Sequence, residues 1–350
     1  MVQATEWRYA PRHPIPKVKS VGMSAATGTQ RHGRIGDTAI WSGPDGLAAA
    51  ADALRGGGLV AFPTETVYGL GARADDGAAV ARIFEAKGRP SFNPLIVHVP
   101  DIAAAIELAE LDAEARALAG RFWPGPLTLV APLRTGHPLA SLVTAGLGTV
   151  GLRVPGLPLA RDLLRAVGAP VAAPSANPSG RISATRAAHV VAGLSGRIDG
   201  VLDAPGCGVG VESTILATGP CRLLREGGLP VEEVEAILGR AVPRDVTPGR
   251  VQAPGQLASH YAPAAPVRLG VVAADSDEIT IGFGSVPGDL SLSPAGDLRE
   301  AAASLFDVLH QADALARERK ASAIAVAPVP EAGLGRAIND RLRRAAAPRP

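Results

Sequence analysis

Four short stretches gather side chains able to hold a small polar ligand: "PTETVYGLGA" at 63–72, "KGRPSFNPLIVHV" at 87–99, "APSANPSG" at 173–180 and "VESTILA" at 211–217. The first brings the hydroxyls of Thr64, Thr66 and Tyr68 together with Gly69 and Gly71, which let a backbone approach closely. The second sets Lys87 and Arg89 at the end of a predicted helix, followed by Pro90 and Asn93. Cations are favoured there by the helix dipole alone. Together, however, they suit a phosphate, with Arg89 as a bidentate fork and Lys87 as a point charge. His98, alternating with Ile96, reads as a core histidine before it reads as a ligand. In the third stretch prolines stiffen the chain around Ser175 and Asn177; the fourth places Ser213 and Thr214 beside Glu212. Two lone arginines, Arg153 in "GLRVP" and Arg225 in "LLREGG", sit in apolar runs, where a charge is costly unless it meets an anion.

These stretches need a frame that brings strand ends together. Leu47, Ala50, Ala51 and Leu54 recur at helical spacing before Gly56-Gly57-Gly58, so structure is expected to begin near Asp45. Leu59 to Phe62 reads as a buried strand that delivers the first cluster at its exit, where α/β proteins place ligand contacts. Helices are predicted over 78–87, 101–110, 113–122, 158–167, 185–194 and 230–238. Strands are predicted at "PLIVHV", "PLTLVAPL", "TVGLRVP", "PVAAPS", "ESTILA" and "CRLLRE". The chain from 241 to 266 is rich in Pro and Gly and reads as a linker. After it, "VRLGVV", "EITIGF", a long amphipathic helix, "AIAVAPV" and "GLGRAINDRLRRA" form a second, smaller α/β pattern.

Composition narrows the function classes. At 350 residues the chain exceeds the roughly 250 to 300 at which single cores divide, so two domains are expected. A hydrophobic fraction of 47% with 3% aromatics fits a folded α/β protein, and a net charge of +2 gives no basis for bulk nucleic-acid binding. No apolar run reaches membrane-spanning length and no secretory signal is visible, so a cytoplasmic location and no membrane partner are expected. Residues 1–40 read as a basic leader, in which Met23 is an alternative start. Cys207 and Cys221 read as reduced core positions. No Walker-type loop, spaced Cys/His set or Gly-x-Ser-x-Gly elbow is present, which disfavours hydride transfer, zinc hydrolysis and acyl-serine chemistry.

In order along the chain, "PTETVYGLG", "KGRPSFNPL", "WPGPLT", "GLRVP", "PSAN", "ESTI" and "HYAP" resemble the threonylcarbamoyl-AMP synthase family in its two-domain form, over about residues 45–345. The resemblance implies a catalytic domain at 45–240 built on a twisted open mixed sheet with a large cavity, a linker or lid at 241–266, and a small Rossmann-like α/β domain at 267–345. It implies a nucleotidyltransferase that joins L-threonine, bicarbonate and ATP, releasing pyrophosphate, as the first stage of the tRNA t6A37 modification. Mg2+ would arrive with ATP, with no protein ligands assigned. A threonylcarbamoyl transferase complex acting on tRNA would take the product onward.

Carried onto this sequence, the family's threonine-binding positions fall on Thr66, His98, Arg153 and Ser213. Its ATP-binding positions fall on Arg89, Asn93, Thr149, Ser175, Asn177, Thr185, Arg225 and Tyr261, and Lys87 and Arg89 are expected to act in catalysis. Glu65 is expected to be structural or linked to water. Gln256 departs from the Met usual after Pro-Gly in the linker. Two alternatives remain open: a transferase handling carbamoyl-adenylate, and a non-catalytic RNA-binding module of the same fold, weak RNA binding also being compatible with the enzyme.

Overall fold

The computed structural model describes residues 33–35, 37–205, 207–244 and 259–348. The strands of the first unit are β1 (Gly33–Ile35), β2 (Thr38–Trp41), β3 (Val60–Phe62), β4 (Gly69–Arg73), β5 (Ile96–His98), β6 (Leu127–Pro132), β7 (Thr149–Arg153), β8 (Val171–Ala172), β9 (Gly200–Leu202), β10 (Thr214–Ala217) and β11 (Arg222–Arg225). Its helices are α1 (Gly43–Arg55), α2 (Gly77–Lys87), α3 (Ile102–Ile106), α4 (Ala113–Phe122), α5 (Ser141–Thr144), α6 (Pro158–Val167), α7 (Ala187–Leu194) and α8 (Val231–Leu238). The strands join in one mixed sheet in the order β1-β2-β9-β3-β4-β8-β5-β7-β6-β10-β11. Strands far apart in sequence become neighbours, which is what collects the polar stretches.

Two registers matter for the site. Parallel strands β5 and β7 pair His98 with Arg153 at their ends, so both side chains leave the sheet at one place. Antiparallel β3 and β4 leave residues 63–68 as the turn between them, and Gly69 bridges to Ser175. Helices cover the sheet, and Tyr68, Leu70, Leu95, Leu127 and Leu152 belong to its main core.

The second unit contains β12 (Val267–Leu269), β13 (Ile279–Gly282), β14 (Leu290–Ser291), α9 (Leu298–Arg319), β15 (Ile324–Val326) and α10 (Leu334–Ala346). Its four strands are all parallel, in the order β12-β15-β13-β14. Its core of Ile279, Phe306, Leu309 and Ile338 is continuous with Val67, Ile182, Val211 and Tyr261. Val67 lies inside the first polar stretch, so the second unit packs directly against the wall of the site.

Several elements differ from the periodicity, and β4, β9 and α5 have no counterpart in it. Structure begins before Asp45, because β2 adds a parallel neighbour to β9. The helix expected over 101–110 stops at Ile106, since Ala109 bridges to Leu133 and draws the chain out. The helix expected from 185 starts at Ala187, with Arg186 extended. Residues 245–258, most of the expected linker including Gln256, and residues 1–32 of the leader lie outside the described residues. Among the described residues no helix is long and apolar enough to cross a membrane.

Candidate active site

Helix α2 sets the first cations. Asp76 caps its start by accepting from the amides of Ala78 and Ala79, satisfying donors the helix itself cannot. At its end Gly88 takes the left-handed conformation, φ 60°, which glycine adopts without a side-chain clash. That turn sends Lys87 and Arg89 into the interior, where both are buried. Lys87 Nζ donates to the carbonyl of Ser175 at 2.6 Å and also to that of Asn177. Arg89 donates to the carbonyls of Asn93 and Pro94. Burial, and then Arg89, hold the Lys87 amine well below its usual range, and burial draws the Arg89 and Arg225 guanidiniums down to about 10. A polyanion arriving beside these groups would relieve that cost.

Around them lies a narrow, partly open cavity lined mainly by polar and charged side chains. Thr66, Arg89, His98, Arg153, Ser175, Ser213, Arg225 and Tyr261 all line it. Lys87 and Asn177 lie behind Ser175, and Asn93 lies behind Arg89, linked by the bonds above. Thr149 lines a separate crevice that shares Ile96 with the cavity. Thr185 is buried next to Ala184, whose carbonyl accepts from the Tyr68 amide.

Several buried polar atoms here have no hydrogen-bond partner among the described residues: His98 Nδ1, Asn93 Oδ1, Asn177 Oδ1, Thr185 Oγ1 and Glu65 Oε2. Such an atom costs about 1–3 kcal/mol, and native interiors hold few of them. His98 lines the cavity itself, while Asn93, Asn177 and Glu65 are bonded to or adjoin residues that line it. Burial, aided by Arg153, pushes the His98 ring down to about 3, so it stands neutral and can accept or donate one hydrogen bond.

Two carboxylates escaped or only grazed the sequence reading. Glu65 pairs with Arg153 at 2.7 Å, and Arg153 also donates to the Gly125 carbonyl. Glu212 lines the cavity, accepting from Ser183 Oγ at 2.6 Å and from Arg341 Nε at 3.0 Å. Burial would raise the Glu212 carboxyl, but Arg341, Arg225 and Ser183 outweigh it and hold it below its usual range. Alone in the sequence, Arg341 looks like any cation on an amphipathic helix, and no signal marked it. His260 joins Tyr261 in the cavity wall. Among the described residues no group of three or more His, Cys, Asp or Glu is placed to hold a metal ion.

A family model described as "Telomere recombination", covering Sua5, YciO and YrdC proteins, matches residues 52–227. A second, described as the threonylcarbamoyl-AMP synthase C-terminal domain, matches residues 229–347. The chain belongs to the threonylcarbamoyl-AMP synthase family. It is 42% identical over 332 residues to the threonylcarbamoyl-AMP synthase of Bacillus subtilis, spanning 86% of this chain and 92% of the relative. With the synthase of Pyrococcus abyssi it shares 41% identity over 325 residues, 85% of this chain and 93% of that one. The crystal structure of P. abyssi Sua5 complexed with L-threonine superposes with a TM-score of 0.79 at 39% identity, over 88% of this chain and 96% of that one. Family membership therefore extends across both units.

Proposed function

We infer that this chain is a threonylcarbamoyl-AMP synthase that joins L-threonine, bicarbonate and ATP by nucleotidyl transfer and releases pyrophosphate, the first stage of the tRNA t6A modification. The observation that carries this reading is one cavity lined by the buried cations Arg89, Arg153 and Arg225 together with His98, Thr66, Ser175 and Ser213. Thr66, His98, Arg153 and Ser213 form the amino-acid side, with Arg153 opposite the threonine carboxylate. Arg89, Asn93, Ser175, Asn177, Arg225 and Tyr261, with Thr149 and Thr185 further out, form the nucleotide side, and Lys87 supports it through the Ser175 and Asn177 carbonyls.

The chemistry balances without a protein nucleophile. The threonine amine and bicarbonate give a carbamate and water. A carbamate oxygen then attacks the α-phosphorus, and the bond to pyrophosphate breaks. Arg89 and Arg225 face the charge that develops on the phosphates, and preorganised charge of this kind is commonly the largest catalytic contribution. Holding two reactants in line is worth up to about 7–11 kcal/mol. Glu212 in the cavity wall and Glu65, between the lining residues Thr64 and Thr66, are both engaged with arginines. That donor set fits Mg2+ carried on the ATP phosphates rather than held by protein carboxylates. Bound there, the ion would neutralise charge on the leaving pyrophosphate.

Mass spectrometry of purified protein with ATP, Mg2+, L-threonine and 13C-bicarbonate, with pyrophosphate followed in parallel, tests the reading. A labelled threonylcarbamoyl-AMP ion with matching pyrophosphate is expected. Folded protein that forms neither product would refute it.

A further inference from the structure

Arg341, on α10 of the second unit, is fully buried and is the largest completely buried side chain among the described residues. Its guanidinium joins three parts of the molecule. Nε donates to Glu212 Oε2 in the cavity wall, and Nη1 donates at 2.7 Å to the carbonyl of Glu226, next to Arg225. The guanidinium carbon also lies 5.6 Å from the centre of the Tyr261 ring, within cation–π range. Asp340, its neighbour, provides a second carboxylate at 2.9 Å.

Tyr261 needs such support. Its φ is +60°, a conformation that costs a non-glycine residue free energy and persists only when its surroundings enforce it. The ring is 1% exposed, tilted against Phe306 of α9 at 5.4 Å and against His260 at 4.1 Å. The backbone on each side is tied to a different unit: the His260 amide donates to the Arg344 carbonyl on α10, and the Ala262 amide to the Gly180 carbonyl of the first unit.

We propose that Arg341 is a positioning residue that the small domain contributes to the active site, holding Glu212 and Tyr261 in their cavity-facing places. The role taken for Tyr261 at the nucleotide rests on the synthase reading; the positioning itself does not. Apolar packing alone would seat the domain without a buried ion pair, since well-packed hydrophobic residues in place of such a pair are often as stable or more so. One guanidinium that touches the cavity carboxylate, the backbone just after Arg225 and the strained tyrosine couples domain seating to the shape of the site.

The test compares wild-type protein with Arg341→Met, Glu212→Gln and the double variant, using hydrogen exchange without substrates and then kinetics. Arg341→Met is expected to speed exchange of the amides of residues 260–262 by about tenfold, with the core strands unchanged, as local opening does. The double variant, which leaves no unpaired buried carboxylate, is expected to show the same local loss even where the single variant folds poorly. Glu212→Gln alone, still able to accept from Arg341, keeps protection. In turnover, Arg341→Met is expected to lower kcat/KM for ATP by about tenfold, more than for threonine, with partial rescue in Arg341→Lys. Unchanged exchange at 260–262 in both Met variants, or exchange that rises equally throughout the chain, would overturn the positioning role. Wild-type protein that makes no threonylcarbamoyl-AMP would overturn the synthase reading and leave the exchange result standing.

Discussion

The ion pair between Glu65 and Arg153 separates stability from substrate binding, and replacing Arg153 with Met exposes both. The Arg153 side chain is 5% exposed and that of Glu65 16%. Among the described residues Glu65 Oε2 has no partner, so the substitution removes the cation that holds this carboxylate through Oε1. Leaving one member of a buried pair uncompensated costs about 3–5 kcal/mol. The residual exposure of Glu65 favours the lower end, about 3 kcal/mol. At about 2–4 °C per kcal/mol for a unit of this size, the melting temperature should fall by about 6–12 °C.

Adding Glu65→Gln removes the stranded charge, and most of that loss should return. Threonine binding should not return with it. Losing a buried charge partner for the substrate carboxylate costs about 2 kcal/mol or more, which is about thirtyfold in KM. Calorimetry and steady-state kinetics on the two single variants and the double variant decide the matter. A double variant that regains both melting temperature and threonine KM would show that Arg153 serves only to satisfy Glu65. A normal melting temperature for Arg153→Met would refute the argument about the pair itself.

Replacing Arg89 with Ala should lower kcat/KM for ATP by about 10- to 150-fold, the loss of a charge-assisted hydrogen bond worth about 1.5–3 kcal/mol, with the circular dichroism spectrum retained; near-normal turnover would remove Arg89 from the site. His98, His189 and His260 are each held at about 3, chiefly by burial. As pH falls below the ordinary value of about 6.5 the unfolded chain takes up protons that the folded chain refuses, so stability should fall by about 1.4 kcal/mol per pH unit for each ring. A melting temperature that stays flat from pH 7 to 5 would contradict that burial. Gly71→Ala would place a Cβ 2.8 Å from the Phe62 ring and 3.1 Å from Val171. The expected cost is about 1–3 kcal/mol, and denaturant melts matching wild type would show that the strands part easily.

What the sequence settled by itself was local. Thr66, Lys87, Arg89, Ser175, Asn177 and Ser213 stood out because polar groups flanked by Pro or Gly interrupt apolar runs, and both the α/β class and the paired units follow from hydrophobic period and length. The strands β2 and β9 were missed, as was β4, whose five residues include two glycines and so read as part of a turn. Tertiary structure alone decided the pairings. Glu65 meets Arg153 across 88 positions, and Glu212 meets Arg341 across 129. A charge in a sequence shows its cost of burial but not its partner, because the partner is fixed by sheet order and domain packing rather than by spacing. For the same reason Tyr261 reads as a linker tyrosine, and only the second unit packed behind it makes it part of the cavity wall.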